Sequence, residues 1–228
     1  DYDVLLVATG AVLQPEETEG LTGPGWMDSV FTFYDMEGST ALAAKLDEFE
    51  SGHLVINVID MPIKCPVAPL EFAFLADWYF TDKGVRDDVT ITYVTPLDGA
   101  FTKPTASATL SSLLDEKGIE LVTEFNTGEV DGEARKLIGY DGREIDFDIA
   151  VVVPLHGGAA YVANSPGLGD ELQCLAPAHA RPALDHVDHA FQRAVVVGAG
   201  LGIGVDVHRT GPQLLCADAG EVDRRLAV

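Results

Sequence analysis

Apolar runs and glycine or proline breaks alternate along this chain at the spacing of strands and helices. "YDVLLVATG" is a short continuous apolar run that ends in a glycine, the pattern of a buried strand and a tight turn. Residues Gln14 to Gly25 hold proline, glutamate and glycine and predict a loop. "SVFTFYDMEGSTALAAKLDEFESG" starts extended and becomes helical, with Ser39 or Thr40 as the expected cap and Gly52 as the expected stop. "HLVINVID" predicts a buried strand. "APLEFAFLADWYFTDKG" predicts a helix, with Pro69 suited to its first turn and Gly84 to its end. "DVTITYVTP" predicts the next strand, "KPTASATLSSLLDEKG" the next helix and "IELVTEF" a third strand. Gly52 to Phe125 therefore reads β-α-β-α-β, the order of a parallel sheet with right-handed crossovers.

The pattern then shortens. "EVDGEARKLIGYDGREIDFDIAVVVP" alternates over short stretches and holds Asp-Gly pairs at 131–132 and 141–142, which are hairpin signals. A small antiparallel ribbon is expected over 125–148, feeding the buried strand "IAVVVP". "LHGGAAYVANSPGLGDE" reads as a glycine-rich loop. From about residue 173 the periodicity is lost. "AVVVGAGLGIG" tempts one towards a dinucleotide fingerprint, since Gly198 and Gly200 fit G-x-G-x-x-G, but the third position is Ile203. A strand with a glycine turn is the expectation there.

Length and composition narrow the classes. The chain has 228 residues, 47% of them hydrophobic, enough to bury one large core or two modest ones. It carries 14 Lys+Arg against 37 Asp+Glu, a net charge of −23. Such a surface repels phosphates and argues against a nucleic-acid role. No apolar run reaches the ~20 residues of a membrane-spanning helix. The opening "DYDVLLVATG" has no basic leader and no initiator Met, so a fragment is expected. The three cysteines, Cys65, Cys174 and Cys216, form no CxxC and no zinc spacing, which leaves redox or nucleophilic work for a functional thiol.

One turn carries chemistry. In a nucleotide-binding α/β unit, the turn after the first strand is glycine-rich so that backbone N–H groups can approach a pyrophosphate. Here "MPIKCPVAPLE" has the same place between strand and helix and holds three prolines instead. Prolines remove N–H donors, and Asp60 repels phosphate, so a nicotinamide dinucleotide is expected to bind badly. Cys65 gains from the same layout. It precedes a helix N-terminus and follows Lys64, and both positive ends favour a thiolate. The bland reading is a small apolar packing residue.

Several stretches together resemble one family. "YDVLLVATGA" resembles the ATG motif of two-dinucleotide-domain flavoproteins. "PIKCPVAPLE" resembles the cysteine segment of sulfide:quinone oxidoreductases and of flavocytochrome sulfide dehydrogenases, within the FAD-dependent pyridine nucleotide-disulfide oxidoreductases. "YDGREIDFDIAVVVPLHGG", "VANSPGLGDE" and "TYVTPLDGAFTKP" fit the same family, and the resemblance covers roughly residues 1 to 172. It implies an α/β fold, a Rossmann-like parallel sheet with a small antiparallel ribbon in a two-domain FAD/NAD(P)-binding flavoprotein. Residues 1–30 would be a remnant of the FAD-binding domain, 31–150 the second Rossmann-like domain, and 151–228 the return to the first.

The resemblance also implies a reaction. Sulfide is oxidised at a cysteine beside FAD, and two electrons pass to a quinone. Cys65 matches the sulfur-carrying cysteine. Ala8, Thr9 and Gly10 match the ATG segment near FAD, and Pro66, Pro154 and Gly157 match further flavin-side positions. No nucleic acid is implied. The family location is cytoplasmic, with peripheral contact at the inner face of the membrane in intact relatives, and a homo-oligomer is compatible. The chain departs from the family in three ways. The N-terminal G-x-G-x-x-G unit is missing, so FAD is expected to be held weakly or not at all by this chain alone. Ala199 stands where the family has an aspartate in a Gly-Asp-Ala run. The partner cysteine is not recognisable, and Cys174 and Cys216 match no family cysteine. The alternatives are an NAD(P)H-dependent flavin or disulfide reductase and a non-catalytic remnant domain.

Overall fold

The computed structural model describes residues 4–165 and 194–198. In chain order its elements are β1 (Val4–Ala8), β2 (Val12–Gln14), β3 (Val30–Phe31), α1 (Met36–Glu48), β4 (Gly52–Val58), α2 (Ala68–Lys83), β5 (Val89–Val94), α3 (Pro104–Glu116), β6 (Ile119–Val122), β7 (Thr127–Asp131), β8 (Lys136–Gly139), β9 (Glu144–Asp146), β10 (Ile149–Val153), β11 (Leu155–Gly157), α4 (Ala160–Ala163) and β12 (Ala194–Gly198). The chain forms two units. One holds β1, α4 and β12, and the other is Leu13–His156. In the first, β1 and β12 pair in parallel, Val4 opposite Ala194 and Ala8 opposite Gly198. The expected strand at "AVVVG" is therefore present. The glycine turn after it, Ala199, Cys174 and Cys216 lie outside the described residues.

The second unit is built on a five-stranded sheet in the order β3-β10-β4-β5-β6. Every pairing in it is parallel. The continuous apolar runs have a physical reason: both faces of the sheet are covered. Leu54, Ile56 and Val58 of β4 face one layer with Leu70, Ala73 and Phe80 of α2. Val55, on the opposite face, packs with Leu21, Phe125 and the ribbon residues Val130 and Leu137. The ribbon β7-β8-β9 is antiparallel, as its Asp-Gly pairs predict, and supplies part of that second layer. Asn57 is the one polar interruption in the β4 run. It is fully buried, and its Nδ2 donates to Thr127 Oγ1 at 3.0 Å while that hydroxyl donates back to Asn57 Oδ1 at 3.1 Å. The pair ties β4 to the first ribbon strand and leaves neither polar group open.

The helix ends follow the local chemistry, with two corrections. α2 has Pro69 in its first turn and ends at Gly84, whose φ of +80° is the left-handed stop that favours glycine. α1 is capped by neither Ser39 nor Thr40. Asp35 is the cap, and its Oδ1 accepts from the Gly38 N–H at 2.7 Å. Ser39 and Thr40 lie inside the helix and donate back to the Asp35 and Met36 carbonyls. The helix ends at Phe49, not at Gly52. Gly52 opens β4 instead, with φ +127° and with the Asp148 carboxylate where a side chain would begin. Asp35→Ala is expected to lower stability by about 1 kcal/mol, read from a denaturant titration with unchanged slope.

The loop expected at 14–25 contains a short 3-10 turn at Pro15–Glu17. Within the described part of the expected glycine-rich loop after Pro154 stand β11 and α4. Among the described residues, no helix is long and apolar enough to cross a membrane.

Candidate functional site

The turn between β4 and α2 lies beyond the carboxyl end of a parallel strand, where open α/β sheets place ligands. Strand order makes the position specific. The chain runs from β4 outward to β5 and β6, then returns to β10 on the other side of β4. The reversal falls at the β4/β10 boundary. Both segments that leave this boundary, Ile59–Val67 and Pro154–His156, carry residues of interest.

Cys65 is exposed and forms no disulfide. It stands three residues before the first residue of α2, and its carbonyl accepts the Ala68 N–H at 3.2 Å. The same carbonyl accepts the Tyr34 hydroxyl at 2.8 Å. The thiol-bearing turn is thus pinned through its backbone, which leaves the side chain outside the hydrogen-bond network. Pro66 follows at a half-buried position, in the two-residue turn that precedes the helix. Pro62 and Pro66 give this turn no N–H at two places, and the Met61 N–H is taken by the Asp60 carboxylate at 2.7 Å. Those three places offer no backbone donor to a phosphate.

Tyr34 organises the rest. It follows β3 and packs against Phe33, which stacks on Phe72 of α2 with centroids 5.0 Å apart. The Lys64 ammonium lies over the Tyr34 ring, 5.8 Å from its centroid. Burial, and then the nearby Cys65, push the Tyr34 phenol well above its ordinary range. Tyr34 therefore stays protonated and serves as a donor at any physiological pH. Its ring meets His156 edge-on, with centroids 5.2 Å apart. His156 in turn bonds through Nδ1 to the Pro154 carbonyl at 2.9 Å. Burial lowers the His156 pKa, with a further push from Lys64 and some opposition from the Pro154 bond, so the imidazole is neutral near pH 7.

The expected site residues divide between the two units. Cys65, Pro66 and Pro154 lie in the Leu13–His156 unit, and Tyr34 and His156 link the first of them to the last. Pro154 is buried directly after β10. Ala8, Thr9, Gly10 and Gly157 belong to the other unit. Ala8 ends β1 and Gly157 ends β11. Thr9 Oγ1 lies 2.8 Å from the Tyr161 hydroxyl. Gly10 has φ +73°, and no heavy atom lies within 4 Å of the point where its Cβ would stand. Tyr34 and His156 escape the sequence reading. His156 had a signal, since it lies two residues beyond Pro154 at the end of a buried strand. Tyr34 had none, because its place depends on a pairing across the sheet. Among the described residues, no group of three or more His, Cys, Asp or Glu stands ready to hold a metal ion.

No protein-family model matches the chain. It is 24% identical over 170 residues to the mitochondrial sulfide:quinone oxidoreductase of Dictyostelium discoideum, an alignment that takes in 73% of this chain and 38% of that protein. The structure of the sulfide:quinone oxidoreductase from the hyperthermophilic bacterium Aquifex aeolicus matches with a TM-score of 0.63 and 22% identity, over 75% of this chain and 41% of that one. Reduced Bacillus anthracis CoADR-RHD matches with a TM-score of 0.53 and 16% identity, over 75% of this chain and 28% of that one. At these identities the structural likeness is one of fold, and the chain spans less than half the length of each relative. In sequence over nearly three quarters of its length, and in fold, the chain is similar to the sulfide:quinone oxidoreductases of the FAD-dependent pyridine nucleotide-disulfide oxidoreductase family.

Proposed function

We propose that this protein is an FAD-dependent oxidoreductase that oxidises sulfide through Cys65 and passes the electrons to a quinone. One observation carries the reading: an exposed thiol stands at the strand–helix turn where a nucleotide-binding unit needs glycines. The sequence likeness to a sulfide:quinone oxidoreductase supports it. The turn after β1 fits a flavin cofactor, because Gly10 leaves its backbone open on the side a Cβ would fill. Ala8, Thr9, Gly10, Pro66, Pro154 and Gly157 are the residues that would hold FAD, which supplies the two-electron chemistry when bound. Residues 1–30 and 151–228 would serve that cofactor, and 31–150 would present the thiol. Membrane contact at the quinone step belongs to the same reading.

The chain's own groups have defined tasks. Cys65 presents the sulfur to which substrate sulfur bonds. Tyr34 holds the Cys65 backbone and keeps its proton. The prolines and Asp60 weigh against the phosphates of a nicotinamide cofactor, which would favour sulfide over NAD(P)H as the electron donor. The test is anaerobic reduction of the protein in the presence of excess FAD. Sulfide is expected to bleach the flavin absorbance, and NADH or NADPH to do so far more slowly. The opposite order would replace this reading with a disulfide-reductase one. A folded, flavin-loaded protein inert to all three would point to a domain without catalysis.

A further inference from the structure

α2 is apolar on more than its inner side. Leu70, Ala73, Ala76 and Phe80 are buried in the core. The outer line of the helix runs Glu71, Leu75, Trp78, Asp82, at the spacing that stacks side chains on one face. All four are exposed, Leu75 and Trp78 by 61% each. A lone surface leucine is ordinary. A leucine and a tryptophan one turn apart, on a helix already apolar inside, form a face suited to burial against another protein, where tryptophan is among the strongest anchors.

Charge decides what would cover this face. Glu71 and Asp82 close the apolar pair at both ends. The end of α1 adds Asp47, Glu48 and Glu50, all exposed, and the 2.8 Å bond from the Tyr79 hydroxyl to Asp47 Oδ1 fixes that end beside α2. The cations nearby are taken up within the chain. Lys83 Nζ donates to the carbonyls of Leu46, Asp47 and Phe49. Arg86 and Lys117 bind the Asp77 carboxylate. A second copy fits badly: parallel self-pairing sets each acid on its own image, and antiparallel self-pairing sets Glu71 on Asp82. Anionic lipid and nucleic acid are repelled for the same reason.

We propose that the outer face of α2 is a docking surface for a basic amphipathic segment of a partner protein. The segment lays apolar side chains on Leu75 and Trp78 and Lys or Arg side chains on the acids around them. The proposal is independent of the sulfide chemistry.

A synthetic helical peptide of leucine and lysine with one apolar stripe, labelled with fluorescein and titrated with the full chain, tests it by anisotropy. Saturable binding is expected, with amide NMR shifts concentrated in α2 and the end of α1. Leu75→Gln with Trp78→Gln is expected to weaken binding about tenfold or more at an unchanged melting temperature, since both side chains are exposed. Glu71→Lys with Asp82→Lys should weaken it too, and flatten its dependence on salt. The same peptide with glutamate in place of lysine should not bind. Binding that ignores both double variants is general attraction to a chain of charge −23 and overturns the proposal. Failure of the lysine peptide to bind overturns it as well. So does a dimer of the free chain, seen in sedimentation, that the Leu75 and Trp78 variant dissolves, which would give the face to a second copy. Protection of Trp78 from hydroxyl radicals in the free monomer would give the face to the rest of the chain and overturn the proposal equally.

Discussion

Cys65→Ser is expected to slow sulfide-driven flavin reduction by on the order of a thousandfold while leaving the melting temperature unchanged. The two halves of that result have separate causes. Folding does not use the thiol. The interactions that fix the turn run through the Cys65 carbonyl, to the Ala68 N–H and the Tyr34 hydroxyl, and serine retains that carbonyl. The side chain is exposed, so little packing is lost. Chemistry, by contrast, needs sulfur. A serine hydroxyl is a far weaker nucleophile near pH 7 and cannot carry a second sulfur atom reversibly. Anaerobic stopped-flow reduction of the FAD-supplemented variant measures the loss, and thermal denaturation measures the control. A variant that keeps more than about a tenth of the rate, well short of the loss expected for a nucleophile, would show that Cys65 is not the sulfur carrier.

The largest stability effect is expected at Asp77, on the inner side of α2. Asp77→Ala should cost about 3 kcal/mol in unfolding free energy. The residue is 7% exposed. Its Oδ1 accepts from Arg86 Nε and its Oδ2 from Lys117 Nζ, both at 2.7 Å. Arg86 also donates to the carbonyls of Val89 and Lys117, so one carboxylate holds together α2, the start of β5 and the end of α3. Lys117 is 42% exposed, and solvent screens its share, which makes Arg86 the main partner. Removing the carboxylate leaves Arg86 partly buried without its counter-charge.

The same group sets an acid limit. Burial by itself would raise the Asp77 pKa, but the hydrogen bonds and charges of Arg86 and Lys117 outweigh it and hold the carboxyl below its usual value. The folded state therefore binds this proton less readily than the unfolded one. The contribution is complete above about pH 4, the ordinary carboxylate range, and is lost as pH falls through the lower folded value. Urea titrations of wild type and Asp77→Asn across that range isolate it. Their difference in stability should shrink on acidification. A difference that stays constant would mean that the carboxylate acts by shape and not by charge.

The β-α-β-α-β core was legible because each element there carries its own signal. Residues 54–56 are apolar without alternation, which is what burial on both faces requires. Pro69 and Gly84 mark the ends of α2 by backbone conformation alone. Elements whose ends depend on a competition were harder. Asp35, Ser39 and Thr40 can all cap a helix, and only the extended backbone at Asp35 decides among them. The site was legible at Cys65, where prolines replace the expected glycines. The contact between Tyr34 and His156 was not legible. Those residues lie three beyond Phe31 and five beyond Val151, which are opposite one another in the β3/β10 register. Their meeting is a product of that pairing, and no local pattern encodes it.

β2 pairs with β11, so the chain passes into and out of the Leu13–His156 unit at a single stem. The unit is therefore a cassette. A segment whose two ends lie side by side can be inserted, removed or exchanged by events at one point of the host, and each side keeps its own core intact. Over evolutionary time such a stem would let one insert be traded for another, a thiol-bearing turn for a glycine-bearing one, without rebuilding the rest of the protein.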